Sequence, residues 1–292
     1  MVIIFQHIKT IPIENYKAYS NYFFVTPDNY FILCGGSKYI RVYDNNGNEV
    51  NRCKICVRNM IVDGLNLMVD DCSKTYMYEI NKSKIMLNEF NGFDLNFTIT
   101  NEKLLFWKNN IYVYDSDKFP KNEIYKYDTS TKNVCIHAVL SKSYYVLKII
   151  AYKEKMVAFV ATWDKFPNRG HNRTYEIIIL NKNCDVVQQI ECDDSIDFIG
   201  AAVVVDDYIV IININIDEYS NCLYFLDENF KMVKKIKTDY GFYTATSKGN
   251  KLYCMDYNGM IEVFEVSSLK NSDLKMPNKI STKKLKNIKH SK

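Results

Sequence analysis

Two short stretches 47 residues apart carry the same four residues: Asp117-Lys118-Phe119-Pro120 and Asp164-Lys165-Phe166-Pro167. The second runs on through Asn168-Arg169-Gly170-His171-Asn172-Arg173 and follows Trp163, one of only two tryptophans. Trp and Arg are over-represented where proteins bind one another, because they bring large contact area and several donors. Asp117, Phe119, Trp163, Asp164, Phe166, Arg169, His171 and Arg173 are therefore the candidate recognition residues. The plainer alternative is a decorated hairpin whose Phe-Pro packs on its neighbour.

A second candidate is Asp193-Asp194-Ser195-Ile196-Asp197, where Asp193, Asp194 and Asp197 could offer hard oxygen ligands to Ca²⁺. The spacing lacks the turn glycine of a calcium loop, so a solvated acidic turn is the simpler reading. Cys53 and Cys56 form the only C-x-x-C, with no second pair to complete a zinc site. His7, His137, His171 and His290 are scattered. No H-E-x-x-H, G-x-S-x-G, P-loop or G-x-G-x-x-G occurs, so the common metalloprotease, serine-nucleophile and nucleotide signatures are absent.

The charge is unevenly placed. The 292 residues hold 38 Lys+Arg and 34 Asp+Glu. Eight lysines and one acid fall in 270–292, leaving 30 basic and 33 acidic side chains, net −3, in the rest. The overall positive charge therefore gives no reason to read the body as a nucleic-acid binder. The tail, 269–292, reads as a disordered basic segment that could meet an acidic partner. Nine cysteines, an odd number without a compact framework, and an N-terminus lacking a secretory pattern predict an intracellular, cytoplasmic protein. No apolar run is long enough to cross a membrane. Cys34, Cys135, Cys222 and Cys254 lie in apolar strands and read as core residues.

The elements that would position these residues are strands. Tyr and Phe together number 39 and favour β structure. One hairpin recurs: Tyr39–Asp44 with a polar turn to Val50, and again from Glu79 to Ile85, Asp128 to Val134, Leu180 to Val186 and Asp227 to Val233. The apolar residue sits six positions after the anchor each time. A second hairpin precedes each copy, with turns at Pro27-Asp28-Asn29, Asp63-Gly64, Lys108-Asn109-Asn110, Lys153-Glu154-Lys155, Asp206-Asp207 and Lys248-Gly249-Asn250. The unit is thus four strands in about 45 residues. The sixth unit has only three strands, and Val2–Gln6 can supply the fourth.

This repeat resembles a six-bladed β-propeller, an all-β fold, closed by its N-terminal strand and covering 1–268. Seven blades, with a degenerate one near 88–100, or a pair of β-sandwiches are the alternatives. The resemblance implies that loops between second and third strands share a face with the blade-joining segments, and that this face and the channel carry function. On that basis the chain is expected to be a monomeric, non-enzymatic scaffold binding a protein partner or other ligand on the loop face of blades 3 and 4, without a cofactor. The alternative is a metal-dependent hydrolase or lactonase, or a small-ligand binder, using the channel, with Ca²⁺ as in calcium-dependent six-bladed lactonases.

Overall fold

The computed structural model describes residues 2–14, 22–34, 39–55, 57, 59–63, 66–70, 75–81, 84–87, 103–107, 110–114, 122–128, 133–141, 144–163, 173–192, 199–215 and 220–269. The chain opens with β1 (Val2–Pro12). Sheet 1 comprises β2 (Tyr22–Val25), β3 (Phe31–Cys34), β4 (Tyr39–Tyr43) and β5 (Glu49–Lys54). Sheet 2 comprises β6 (Asn59–Asp63), β7 (Asn66–Asp70), β8 (Thr75–Asn81) and β9 (Lys84–Leu87). Sheet 3 comprises β10 (Lys103–Trp107), β11 (Asn110–Tyr114), β12 (Glu123–Asp128) and β13 (Asn133–Val139). Sheet 4 comprises β14 (Tyr144–Tyr152), β15 (Lys155–Trp163), β16 (Arg173–Leu180) and β17 (Val186–Glu191). Sheet 5 comprises β18 (Ile199–Val205), β19 (Tyr208–Asn215), β20 (Ser220–Leu226) and β21 (Met232–Thr238). Sheet 6 has β22 (Phe242–Lys248), β23 (Lys251–Asp256) and β24 (Met260–Leu269), and takes β1 as its fourth strand.

The described residues therefore form six antiparallel four-stranded sheets, the last completed by the N-terminal strand as its sequence suggested. The segment 88–100 and the tail 270–292 lie outside the described residues. No helix of the described residues is long and apolar enough to cross a membrane.

Alternation along each strand explains how the sheets assemble. In β15, Val157, Phe159 and Ala161 enter a core shared with sheet 5, while Met156, Ala158 and Val160 enter one shared with sheet 3. In β23, Leu252 and Cys254 face sheet 5, and Tyr253 and Met255 face sheet 1. A strand buried on both faces must be apolar at every position, which is why its sequence loses the polar alternation of a one-sided sheet. First strands meet first strands: β22 touches β2 and β18, β14 touches β18 and β10, and β10 touches β6. Sheets 1 and 2 join through Ile32 and Ile40 against Leu67 and Val69. The first strands thus surround one axis, and the fourth strands form the rim.

The ring is closed where β1 meets its neighbours. β1 pairs with β24 along its length, with a bulge between His7 and Lys9. Ile3 enters the sheet 5–6 core and Ile11 and Ile13 enter the sheet 6–1 core. His7 and Thr10 are an odd number of positions apart and would face opposite ways in a regular strand; the bulge brings both to one carboxylate. Glu262, 3% exposed, receives Thr10 Oγ1 at 2.7 Å and has His7 Nε2 at 2.7 Å. On the sheet 1 side, Glu14 N donates to Gly47 O at 2.9 Å and Lys9 Nζ to Asn45 O at 3.1 Å.

The turn holding Gly47 is, among the described residues, one of four built alike. Asp44, Asn181, Asp227 and Asp256 each accept, on the side-chain oxygen, the amide N–H groups two and four residues on. An Asn follows two residues later in each, and the next residue has positive φ: Gly47, Cys184, Phe230 and Gly259. The short Asx side chain imitates a backbone turn and tolerates the sharp reversal. The anchor in sheet 4 is thus Asn181 rather than Leu180, because Leu180 pairs with Val186 and Val187 is the bulged residue. The same turn also connects β23 to β24, a place the repeat did not suggest.

Cys184, in its left-handed turn, locks sheet 4 to sheet 3. Its thiol hydrogen-bonds His137 Nε2, and the Tyr112 ring packs edge-on against that imidazole at 4.7 Å. Burial, with the Lys126 ammonium nearby, holds His137 down at about 4. Burial, with Asp185 adding to it, pushes the Cys184 thiol up to about 11. Cys34 and Cys254 are buried as expected, but Cys135 is exposed and Cys222 only half-buried. Cys135 belongs to the rim strand β13, which no further sheet covers.

Two outcomes follow from these joints. A Cβ on Gly47 would stand 1.9 Å from the Pro12 carbonyl oxygen, whereas one on Gly249 meets open space. Both have positive φ, so Gly249→Ala should cost about 1 kcal/mol and Gly47→Ala well over ~2 kcal/mol in urea unfolding; equal costs would show that the Gly47–Pro12 contact is not a seam. His137 binds its proton near 4 when folded but near 6.5 when free. Its contribution is therefore present above pH 6.5 and lost as pH falls from 6.5 towards 4. The urea midpoint should drop across that window, and His137→Gln should flatten the drop; identical pH profiles would exclude His137 as its source.

Candidate binding surface at sheets 3 and 4

Asp117 and Phe119 in the first enlarged loop, and Asp164, Phe166, Arg169 and His171 in the second, lie outside the described residues, as do Asp193, Asp194 and Asp197. Trp163 and Arg173 are placed by their backbones: Trp163 closes β15, Arg173 opens β16, and the two are register partners. The second loop is thus a hairpin loop rooted on a rigid, buried strand pair.

The bases of the two loops are joined by a polar path. Asn122, which follows the first loop, donates from Nδ2 to Leu140 O at 2.7 Å, and its own carbonyl accepts Leu140 N–H at 2.9 Å. Tyr144 N donates to Ser141 O at 2.9 Å, fixing the entry to β14. The Tyr144 hydroxyl donates to Glu176 Oε2 at 3.0 Å. Gln189 Nε2 donates to the Tyr144 oxygen at 2.7 Å and to the same Glu176 oxygen. Nearer the loop, the Thr162 and Thr174 hydroxyls touch. Alternation accounts for the cluster: Val160 and Ala158 of β15 and Ile178 of β16 face sheet 3, so Thr162 and Glu176 continue that face as it leaves the core.

Burial and the Glu176 carboxylate raise the Tyr144 phenol. In sheet 3, burial and Glu123 push Tyr125 up to about 12, and its hydroxyl donates to Glu123. Both phenols stay protonated and act as fixed donors. Glu176 is a half-buried carboxylate whose hydrogen-bond partners among the described residues, Tyr144 and Gln189, are neutral, and it can accept from an ammonium, a guanidinium or an amide. No sequence motif connects Tyr144, Glu176 and Gln189; only the fold brings them together.

Other chemistry has less material. The first strands around the axis carry one carboxylate, Asp63, and no histidine or cysteine. Cys184 and His137 meet as a neutral thiol and a neutral imidazole, an arrangement that stabilises a turn but offers little thiolate. Among the described residues no group of three or more His, Cys, Asp and Glu is arranged to hold a metal ion.

No protein family model and no curated protein matches the chain. Solved structures do. A calcium structure of a Trichoderma reesei carbohydrate-active enzyme of family AA12 is 11% identical, with 90% of this chain and 97% of that one covered and a TM-score of 0.56. A catalytically inactive virginiamycin B lyase from Staphylococcus aureus with quinupristin is 7% identical, covering 90% and 99%, with a TM-score of 0.56. A chain of the mitotic checkpoint complex is 11% identical, covering 90% and 92%, with a TM-score of 0.52. At such identities the likeness speaks for architecture alone, and with the four-stranded sheets around one axis it makes this chain an all-β propeller.

Proposed function

We propose that the chain is a non-enzymatic interaction module that binds a protein partner on the loop face where sheets 3 and 4 meet. The observation that carries this reading is the bridged base of the two loops, Asn122–Leu140–Tyr144–Glu176–Gln189. A recognition surface needs rigid roots, since ordering loose loops on binding costs affinity. Here the repeated Asp-Lys-Phe-Pro loops belong to adjacent sheets, each hydrogen-bonded at its base and joined by the short Leu140–Tyr144 connection, itself fixed by Tyr144 N donating to Ser141 O. The aromatic and arginine content of the second loop supplies contact area, and Glu176 supplies a fixed acceptor. The composition of the first strands favours this over channel chemistry. That one structural neighbour comes from a multi-protein complex agrees with such a use of the fold, as enzymes among the neighbours agree with the other. The basic tail 270–292 adds a contact for an acidic partner.

Substituting Trp163→Ala, Phe166→Ala and Arg169→Ala together should abolish partner capture by the immobilised protein while circular dichroism and the thermal midpoint stay within about 2 °C of wild type. Unchanged capture would sink the loop surface. Deleting 270–292 should remove salt-sensitive retention on heparin and leave loop-dependent capture intact. Ca²⁺ should leave the thermal midpoint unchanged; a rise reversed by chelator would favour the hydrolase reading instead.

A further inference from the structure

The six rim strands are not protected alike. A strand at a sheet edge presents unpaired N–H and C=O groups, and proteins usually guard it with lysine, proline or a bulge. β1 carries Lys9 and Pro12, β5 carries Arg52 and Lys54, β9 carries Lys84, and β21 carries Lys234, Lys235 and Lys237. β13 (NVCIHAV) and β17 (VVQQIE) carry no lysine, arginine or proline. The four most exposed large hydrophobic side chains among the described residues lie on these two strands: Val139 60%, Ile136 56%, Val186 52% and Val187 51%.

The two edges differ in regularity. The bulge in β13 falls in mid-strand, at His137. That in β17 falls at its start, leaving Gln188–Glu191 in unbroken register with β16, and Cys192 N still donates to Tyr175 O at 2.8 Å. β17 therefore offers a regular edge whose residues up to Ile190 are uncharged. At its far end Glu191 is the register partner of Glu176. Like charges directly opposite one another destabilise a sheet, and among the described residues neither carboxylate forms an ion pair. A cation placed there would relieve the repulsion.

We infer that the free edge of β17 binds an extended segment of a protein partner as a fifth strand of sheet 4, with β-branched side chains over Val186 and Val187 and a lysine or arginine at Glu176 and Glu191. Backbone hydrogen bonds supply affinity, and the acidic end sets direction, the mode by which exposed edges take up peptides. This rests on the reading of the chain as an interaction module; Glu176 borders both surfaces, but the pairing edge is β17 rather than the loops.

The test uses the full chain and a fluorescein-labelled synthetic peptide of alternating valine and threonine with lysine and arginine at one end, followed by fluorescence anisotropy. The same peptide N-methylated at every second amide keeps its charge and composition but cannot pair along that edge. The parent peptide should bind, the N-methylated one should bind at least about tenfold more weakly, and Val187→Lys/Gln188→Lys, which imitates the guarded edge of sheet 5, should weaken the parent by a similar factor. Glu191→Gln should weaken it less and reduce its salt dependence. Equal binding of the two peptides, or unchanged binding to the lysine variant, overturns the proposal. The Trp163/Phe166/Arg169 variant should retain the peptide; loss there would assign the binding to the loops. Binding seen only after deletion of 270–292 would make the chain's own tail the occupant. A dimer in sedimentation that Val187→Lys/Gln188→Lys dissolves would make it a second copy. Either result overturns the partner-strand assignment.

Discussion

The pairing of β1 with β24 holds the molecule together. It joins segments about 255 residues apart, and closing so long a loop costs about 5 kcal/mol of chain entropy. Ile3, Ile11 and Ile13, all buried by β1, return about 1.5–3 kcal/mol each, so apolar burial alone roughly covers the closure. The register then depends on polar detail. Glu262 is buried on a strand whose other core-facing residues are apolar, and among the described residues the hydrogen-bond partners of its carboxylate, His7 and Thr10, come from β1. Slipping β1 by one residue would leave that charge unsatisfied, which is far costlier than a slip between apolar faces. One strand thus completes two inter-sheet cores and specifies the alignment of the whole ring.

The same two-sided burial governs each interior strand, and it explains what could be read directly from the residues. Ile177–Leu180 and Leu223–Leu226 announce strands because burial on both faces demands unbroken apolar runs. Asp44 and Asp227 announce turns because an Asx side chain hydrogen-bonds its own backbone. Both signals are local. A bulge is not: Val187 looks like any strand residue, and only its failure to pair with β16 moves the anchor of that hairpin from Leu180 to Asn181. Cys135 looked like a core residue for a related reason. Its apolar neighbours imply a buried strand, but β13 ends a sheet, so its side chains face the rim.

The site was least legible where it depends on convergence. Tyr144, Glu176 and Gln189 come from three strands and span 45 residues. Each is ordinary in its own segment: a tyrosine opening a strand, a glutamate in an apolar run, a glutamine on a polar-looking edge. Their meeting requires the sheet order β14-β15-β16-β17 and the alternation that turns Glu176 and Gln189 towards sheet 3. The repeated Asp-Lys-Phe-Pro motif, in contrast, marks two adjacent sheets from the residues alone, and the polar path through Asn122 and Leu140 connects the ends of those same two sheets.

Sheets 3 and 4 depart from the rest of the ring in two ways: enlarged loops between their second and third strands, and rim strands without a guarding cation. A ring stabilised mainly by contacts between neighbours has no structural need for such asymmetry, since every sheet faces the same packing problem. Unguarded edges and an in-register Glu176–Glu191 pair both oppose stability and solubility in the isolated chain. Features that cost stability and cluster on two adjacent sheets are what a binding surface requires, because polar groups and edge amides left unsatisfied in the free protein are those a partner can satisfy. The apolar interior strands, by the same reasoning, have their full complement of contacts already and belong to the frame.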